Sequence, residues 1–113
     1  MKDFADKVAL ITGAGSGIGR ALSLELAEKG CNLALVDWNE DSLEETKQLL
    51  RKKNVAVSTH AFDISDKEKV TALPDEVIEF HKQIDLVFNN AGLSIVGTVN
   101  EVDEDDWNWG LNI

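Results

Sequence analysis

Two hydrophobic rhythms alternate along this chain. Val8–Thr12 is a compact, mostly apolar run between a charged stretch and a glycine cluster, the pattern of a strand buried on both faces. Over residues 18–29 the apolar positions Ile18, Ala21, Leu22, Leu26 and Ala27 fall on one helical stripe, with Gly30 at the C-cap and Lys29 in the last turn. A second buried strand covers residues 33–36. A helix then starts at a cap on Asn39 or Asp41 and runs to about Lys53, acidic in its first turns and basic in its last, as the helix dipole favours. Residues 55–61, rich in β-branched side chains, form a third strand. Asp63 or Ser65 opens a third helical stretch ending near His81. Pro74 within it predicts a kink or a restart, because an interior proline costs roughly 3 kcal/mol. Residues 84–88 form a fourth strand. Beyond Gly92 the pattern is irregular until Asp103, which is expected to cap a further helix.

Strands alternating with helices imply right-handed βαβ units, a parallel sheet and helices on both of its faces. Such sheets bind ligands beyond the C-terminal ends of their strands. The informative segments are therefore those that follow each strand: residues 12–19, Asp37, Asp63 and residues 89–92.

The first of these reads Thr12-Gly13-Ala14-Gly15-Ser16-Gly17-Ile18-Gly19. No Gly-Lys-Ser/Thr follows, so it is not a phosphate loop of the Walker type. It fits GxxxGxG through Gly13, Gly17 and Gly19. Glycines let the backbone turn sharply and approach a ligand without a Cβ in the way. The turn also opens a helix, whose free N–H groups and positive dipole end favour a pyrophosphate. Asp37 ends the second strand 18 residues after Gly19. Dinucleotide sites place a ribose-binding acid about 20 residues after the glycines. A carboxylate there disfavours the 2′-phosphate of NADP, so NAD is the expected cofactor. Ser16 and Trp38 stand where an offsetting basic residue would be, and Arg20 is the nearest cation in the turn.

Composition narrows the classes. The chain has 113 residues, 43% of them hydrophobic and 28% charged, which suits one small globular domain. Its 11 basic and 21 acidic residues leave a net charge of −10, which repels nucleic acid and offers no basic cluster to an anionic membrane. Its apolar runs are far shorter than a membrane span. Residues 1–7 are charged and lack the apolar core of a signal peptide, so a cytoplasmic location is expected. Cys31 alone makes no internal disulfide and reads as a small buried apolar side chain. His60 and His81 carry no catalytic expectation. The acidic cluster 101–106 reads as a helix start rather than a calcium loop.

These residues resemble the short-chain dehydrogenase/reductase family. Thr12-Gly13-x-x-x-Gly17-Ile18-Gly19 is similar to its cofactor motif, Asp63-Ile64 to its acid-hydrophobic pair, and Asn89-Asn90-Ala91-Gly92 to its second motif. The resemblance covers the N-terminal half of the family's domain. It implies an α/β fold, a Rossmann-type doubly wound parallel sheet truncated to the strand order 3-2-1-4. Residues 1–113 would form the dinucleotide-binding part of one domain. The resemblance further implies that Gly13, Ser16, Gly17, Ile18 and Gly19 surround the pyrophosphate and its ribose, and that Asp37 holds the adenosine ribose. Asp63, with the Ile64 backbone, would meet the adenine. Asn90, Ala91 and Gly92 would line the nicotinamide-side ribose. Thr12 and Asn89 are expected to tie strand ends together. For Asp63 a plain helix cap is the competing reading.

The parent reaction implied is hydride transfer between a nicotinamide cofactor and a small alcohol or carbonyl substrate, in a homo-oligomeric protein. The family's catalytic Tyr-x-x-x-Lys and serine are not matched, and the chain contains no tyrosine. Ser94 and Asn112 are out of place for the family's serine and asparagine. A non-catalytic dinucleotide-binding or interaction module is the alternative. Residues 84–88 are expected to be an open sheet edge, which favours self-association.

Overall fold

The computed structural model describes residues 4–90 and the backbone of Val96–Thr98. Its elements are β1 (Val8–Thr12), α1 (Gly17–Glu28), β2 (Asn32–Asp37), α2 (Glu40–Leu49), β3 (Val57–Ala61), α3 (Lys67–His81), β4 (Leu86–Asn89) and β5 (Val96–Thr98). The sheet order is β3-β2-β1-β4-β5. The first four strands are parallel in the order 3-2-1-4, as expected, and β5 runs antiparallel to β4. The expectation of an open edge at residues 84–88 is thereby corrected. Val96–Thr98 pairs with β4 through Leu86↔Thr98 and Phe88↔Val96, giving partners to backbone groups that an edge would leave open.

Strand side chains alternate between two cores because the strand period is two. Ala9, Ile11, Leu33 and Leu35 pack with Leu26 and Ala27 of α1 and Leu43 of α2. Val8, Leu10, Ala34 and Val36 pack with Leu73 and Val77 of α3. Helices therefore cover both faces, and β1 is buried along its whole length, which explains its lack of polar alternation.

Local signals set the helix ends. α1 closes with the Gly30 N–H donating to Ala27 O and the Cys31 N–H to Leu26 O, with Gly30 at φ 83°, a Schellman ending. Asn39 caps α2 by accepting from the Ser42 N–H at 3.0 Å. α3 starts later than expected. Neither Asp63 nor Ser65 caps it; Asp66 does, accepting from the Lys69 N–H. Pro74 does not restart the helix, which runs unbroken to His81 with Pro74 buried. One missing N–H is outweighed there by burial of the Leu73–Val77 face.

Buried Asp85, just before β4, accepts the Val8 N–H at 2.8 Å and the Gln83 amide at 2.7 Å. Cys31 is buried, as expected. Burial, helped by the charge of Asp85, pushes its thiol pKa up to about 11. Among the described residues no helix is long and apolar enough to cross a membrane, and no cluster of acidic, histidine or cysteine side chains could hold a metal ion. Ala91, Gly92, Ser94, the expected helix after Asp103 and Asn112 lie outside the described residues.

Candidate functional site

The parallel register brings four strand ends to one side of the sheet: Thr12 opposite Val36, Asp37 opposite Ala61, and Thr12 opposite Asn89. The segments that leave these ends enclose a cleft of about 450 Å³ lined by Gly13, Ser16, Asp37, Trp38, Asp63, Ile64 and Asn90. Six of these are sequence-predicted site residues, gathered from four stretches separated by three helices. Among the described residues none that lines it is basic.

The glycine turn is held by its own backbone. Gly13 and Gly17 have φ of 65° and 57°, the left-handed region that side chains disfavour. A Cβ on Gly19 would stand 2.0 Å from the Gly13 carbonyl oxygen, so Gly19 is where the start of α1 crosses the turn. A Cβ on Gly17 would meet nothing within 4 Å, leaving open space in front of the turn. Ser16 is the N-cap of α1, its side chain makes no capping bond, and the first turn carries no acid. The helix thus starts with backbone donors that no capping side chain or first-turn acid neutralises. Ile18 beside it is 75% exposed. Gly17, Ile18 and Gly19 shape the turn without lining the cleft.

Asp37 lies at the junction of two backbone donors. Its Oδ2 accepts the Gly15 N–H at 2.8 Å and its Oδ1 the Asn39 N–H at 3.1 Å. Asp63 heads a tight turn in which its Oδ1 accepts the Ser65 N–H at 2.9 Å. The Ser65 backbone and hydroxyl hold the Asp63 carboxyl below the usual range. Asp63 therefore stays ionised on the cleft wall, and with Asp66 as the cap of α3 it is not the cap that the competing reading made it.

Thr12 and Asn89 tie strand ends as expected. The Thr12 hydroxyl donates to Asn89 Oδ1 at 2.9 Å and accepts the Asn90 N–H at 2.9 Å. Asn89 is fully buried, and its Nδ2 has no partner among the described residues.

Trp38 is the lining residue that sequence reasoning passed over as a binding group. It is 74% exposed. The sequence shows only that a tryptophan follows the strand-end acid; its exposure, costly for a large aromatic, is what the structure adds. A second cleft, of about 540 Å³, lies along β3 beside α3. There Ser58 Oγ sits 2.9 Å from both His60 Nε2 and His81 Nε2, and His60 Nδ1 faces Glu76 at 3.2 Å. It stands apart from the strand ends and holds none of the predicted site residues.

The chain matches the family model described as short chain dehydrogenase over residues 7–113. It is 35% identical over 113 residues to the CLA biosynthesis dehydrogenase/reductase of Lactiplantibacillus plantarum, covering 100% of this chain and 40% of that protein. Among solved structures it superposes with a TM-score of 0.77 and 40% identity on a short chain dehydrogenase/reductase from Burkholderia phymatum in complex with NAD, covering 100% of this chain and 41% of that one. A metagenomic short-chain oxidoreductase in complex with NADP gives a TM-score of 0.73 at 28% identity, covering 80% of this chain and 41% of that one. The chain spans about two fifths of the length of these relatives.

Proposed function

The chain belongs to the short-chain dehydrogenase family, and from that premise we propose that residues 1–113 are the dinucleotide-binding part of a single Rossmann-type domain whose cofactor is NAD rather than NADP. The whole protein is proposed to move a hydride between the nicotinamide and a small alcohol or carbonyl substrate. The observation that carries this reading is the cleft at the strand ends, in which a glycine turn, two acids and Asn90 meet.

The residues present fit a dinucleotide. Open space in front of Gly17 and the uncapped backbone N–H groups at the start of α1, over Ser16, Gly17, Ile18 and Gly19, suit the pyrophosphate. The bonds to Gly15 and Asn39 hold the Asp37 carboxylate ready to accept from the adenosine ribose hydroxyls. That fixed negative charge opposes a 2′-phosphate, and among the described residues no basic side chain lines the cleft to offset it. Asp63, kept ionised, accepts from the adenine amino group, with Ile64 beside it, and Trp38 offers its face to the base. Asn90, whose N–H is anchored on Thr12, carries the nicotinamide-side ribose together with Ala91 and Gly92. When bound, the nicotinamide supplies the hydride chemistry. The residues named here bind and orient it.

The test is an equilibrium titration of the chain with NAD and with 5′-AMP, following tryptophan fluorescence. Saturable binding of both, weakened in Asp63→Ala, is expected. Absence of binding to either ligand by a folded chain overturns the reading.

A further inference from the structure

Arg20 stands on the first turn of α1, next to the cleft but not among its lining residues. Its guanidinium joins two segments, the glycine turn and α2. Nε donates to Thr46 Oγ1 at 2.9 Å on α2. Nη2 donates to the Gly15 carbonyl in the glycine turn, to the Ser42 carbonyl at 3.1 Å and to Glu45 at 3.2 Å. Fully buried Thr46 extends the connection by donating to the Ala14 carbonyl at 2.9 Å. Only a planar fork of donors satisfies acceptors spread in this way.

The consequence falls on Gly15. Its carbonyl is held by Arg20 and its N–H by Asp37 Oδ2. A Cβ at Gly15 would come within 2.8 Å of both Asp37 Oδ2 and Ser42 Cβ, so the approach that lets this N–H reach Asp37 excludes every side chain. A glycine peptide has the widest freedom to rotate, and Arg20 removes that freedom from outside. Arg20 also pins the start of α2 through Ser42, just beyond the Asn39 N–H that holds the other Asp37 oxygen. Both donors on Asp37 therefore belong to segments that Arg20 fastens. The cation itself is engaged by Glu45 and by carbonyls and does not face the cleft.

We propose that Arg20 is the positioning residue for cofactor selectivity: it fixes the Asp37 carboxylate for a ribose diol and keeps the turn's one cation away from a 2′-phosphate. The inference rests on the dinucleotide reading above. Released from Arg20, the Gly15 peptide and the carboxylate can rotate away. Diol recognition then weakens while repulsion of a phosphate eases, so the two cofactors respond unequally.

The experiment titrates the unmodified chain, Arg20→Met and Arg20→Lys with NAD and with NADP, alongside thermal melts without cofactor. In folded Arg20→Met the ratio of NAD to NADP affinity should fall about tenfold, the scale of one hydrogen bond to a charged group. Arg20→Lys should lower it at least as far, because a point charge cannot hold these acceptors together and is free to swing toward a phosphate. If Arg20→Met does not fold, the ratio is read on Arg20→Lys. Proportional weakening of both cofactors, or an unchanged ratio, overturns the proposal and leaves Arg20 a structural clip. Failure of the unmodified chain to bind either cofactor overturns the dinucleotide reading itself, and this inference with it.

Discussion

The hydroxyl of Thr12 and the side-chain oxygen of Asn89 meet at 2.9 Å between the ends of β1 and β4, and the same hydroxyl receives the Asn90 N–H. One buried oxygen thus sets the spacing of two strand ends and the path of the chain into the cleft. Thr12→Val keeps the shape and removes the hydroxyl. It leaves a buried acceptor on Asn89 unsatisfied and the Asn90 N–H with only the Phe88 carbonyl at 3.1 Å, at a cost of about 2 kcal/mol. Urea denaturation should show this as a lower midpoint with an unchanged slope. A midpoint equal to that of the unmodified chain would refute the coupling.

The glycines should differ in their tolerance of a methyl group. Gly17→Ala strains only the left-handed backbone, since its Cβ would meet open space, for about 1–2 kcal/mol. Gly19→Ala places a carbon 2.0 Å from the Gly13 carbonyl, and backbone cannot yield as a side-chain tip does. The melting temperature should fall further for Gly19→Ala than for Gly17→Ala. Equal losses would contradict the crossing of α1 over the turn.

Much of this was legible in the sequence, for physical reasons that can be named. β1 and β2 are buried on both faces, so their apolar runs stand out. Gly30 and Asn39 act as caps because a left-handed residue and a short side-chain acceptor are needed at those places. The start of α3 was not legible. Asp63, Ser65 and Asp66 are all competent caps, and only the turn closed by Ser65 on Asp63 decides among them. The three-residue β5 is too short for alternation to register, and its pairing with β4 is a tertiary choice. Trp38 was legible only as a missing basic residue, because hydrophobic patterning is silent about an aromatic that stays in water.

Trp38 should be a major source of adenine affinity. Trp38→Ala is expected to weaken 5′-AMP binding about tenfold, within the 1–3 kcal/mol that stacking contributes per base. Calorimetric titration reads this directly. Unchanged affinity would assign the exposed indole to some other contact.

Stability should fall on mild acidification because of His81. Burial, reinforced by the nearby His60, lowers its pKa below the ordinary histidine value, while the Leu33 backbone works the other way. The unfolded chain therefore takes up a proton that the folded chain resists. The contribution is intact above the unfolded pKa, about 6.5, and is lost as pH falls from there toward the lower folded value. Unfolding free energies measured from pH 7.5 to 5.5 should decline, and less steeply in His81→Gln. Identical slopes in the two proteins would contradict this assignment.

The central claim is the place of binding, and a backbone amide NMR titration with NAD tests it most directly. The predicted result is a saturable set of shifts at Gly13, Ser16, Gly17, Ile18, Gly19, Asp37, Trp38, Asp63, Ile64 and Asn90, with the amides of Ser58, His60 and Glu76 in the larger β3 cleft unmoved. Shifts concentrated at that β3 cleft, or none at the strand ends up to millimolar NAD, would contradict the account.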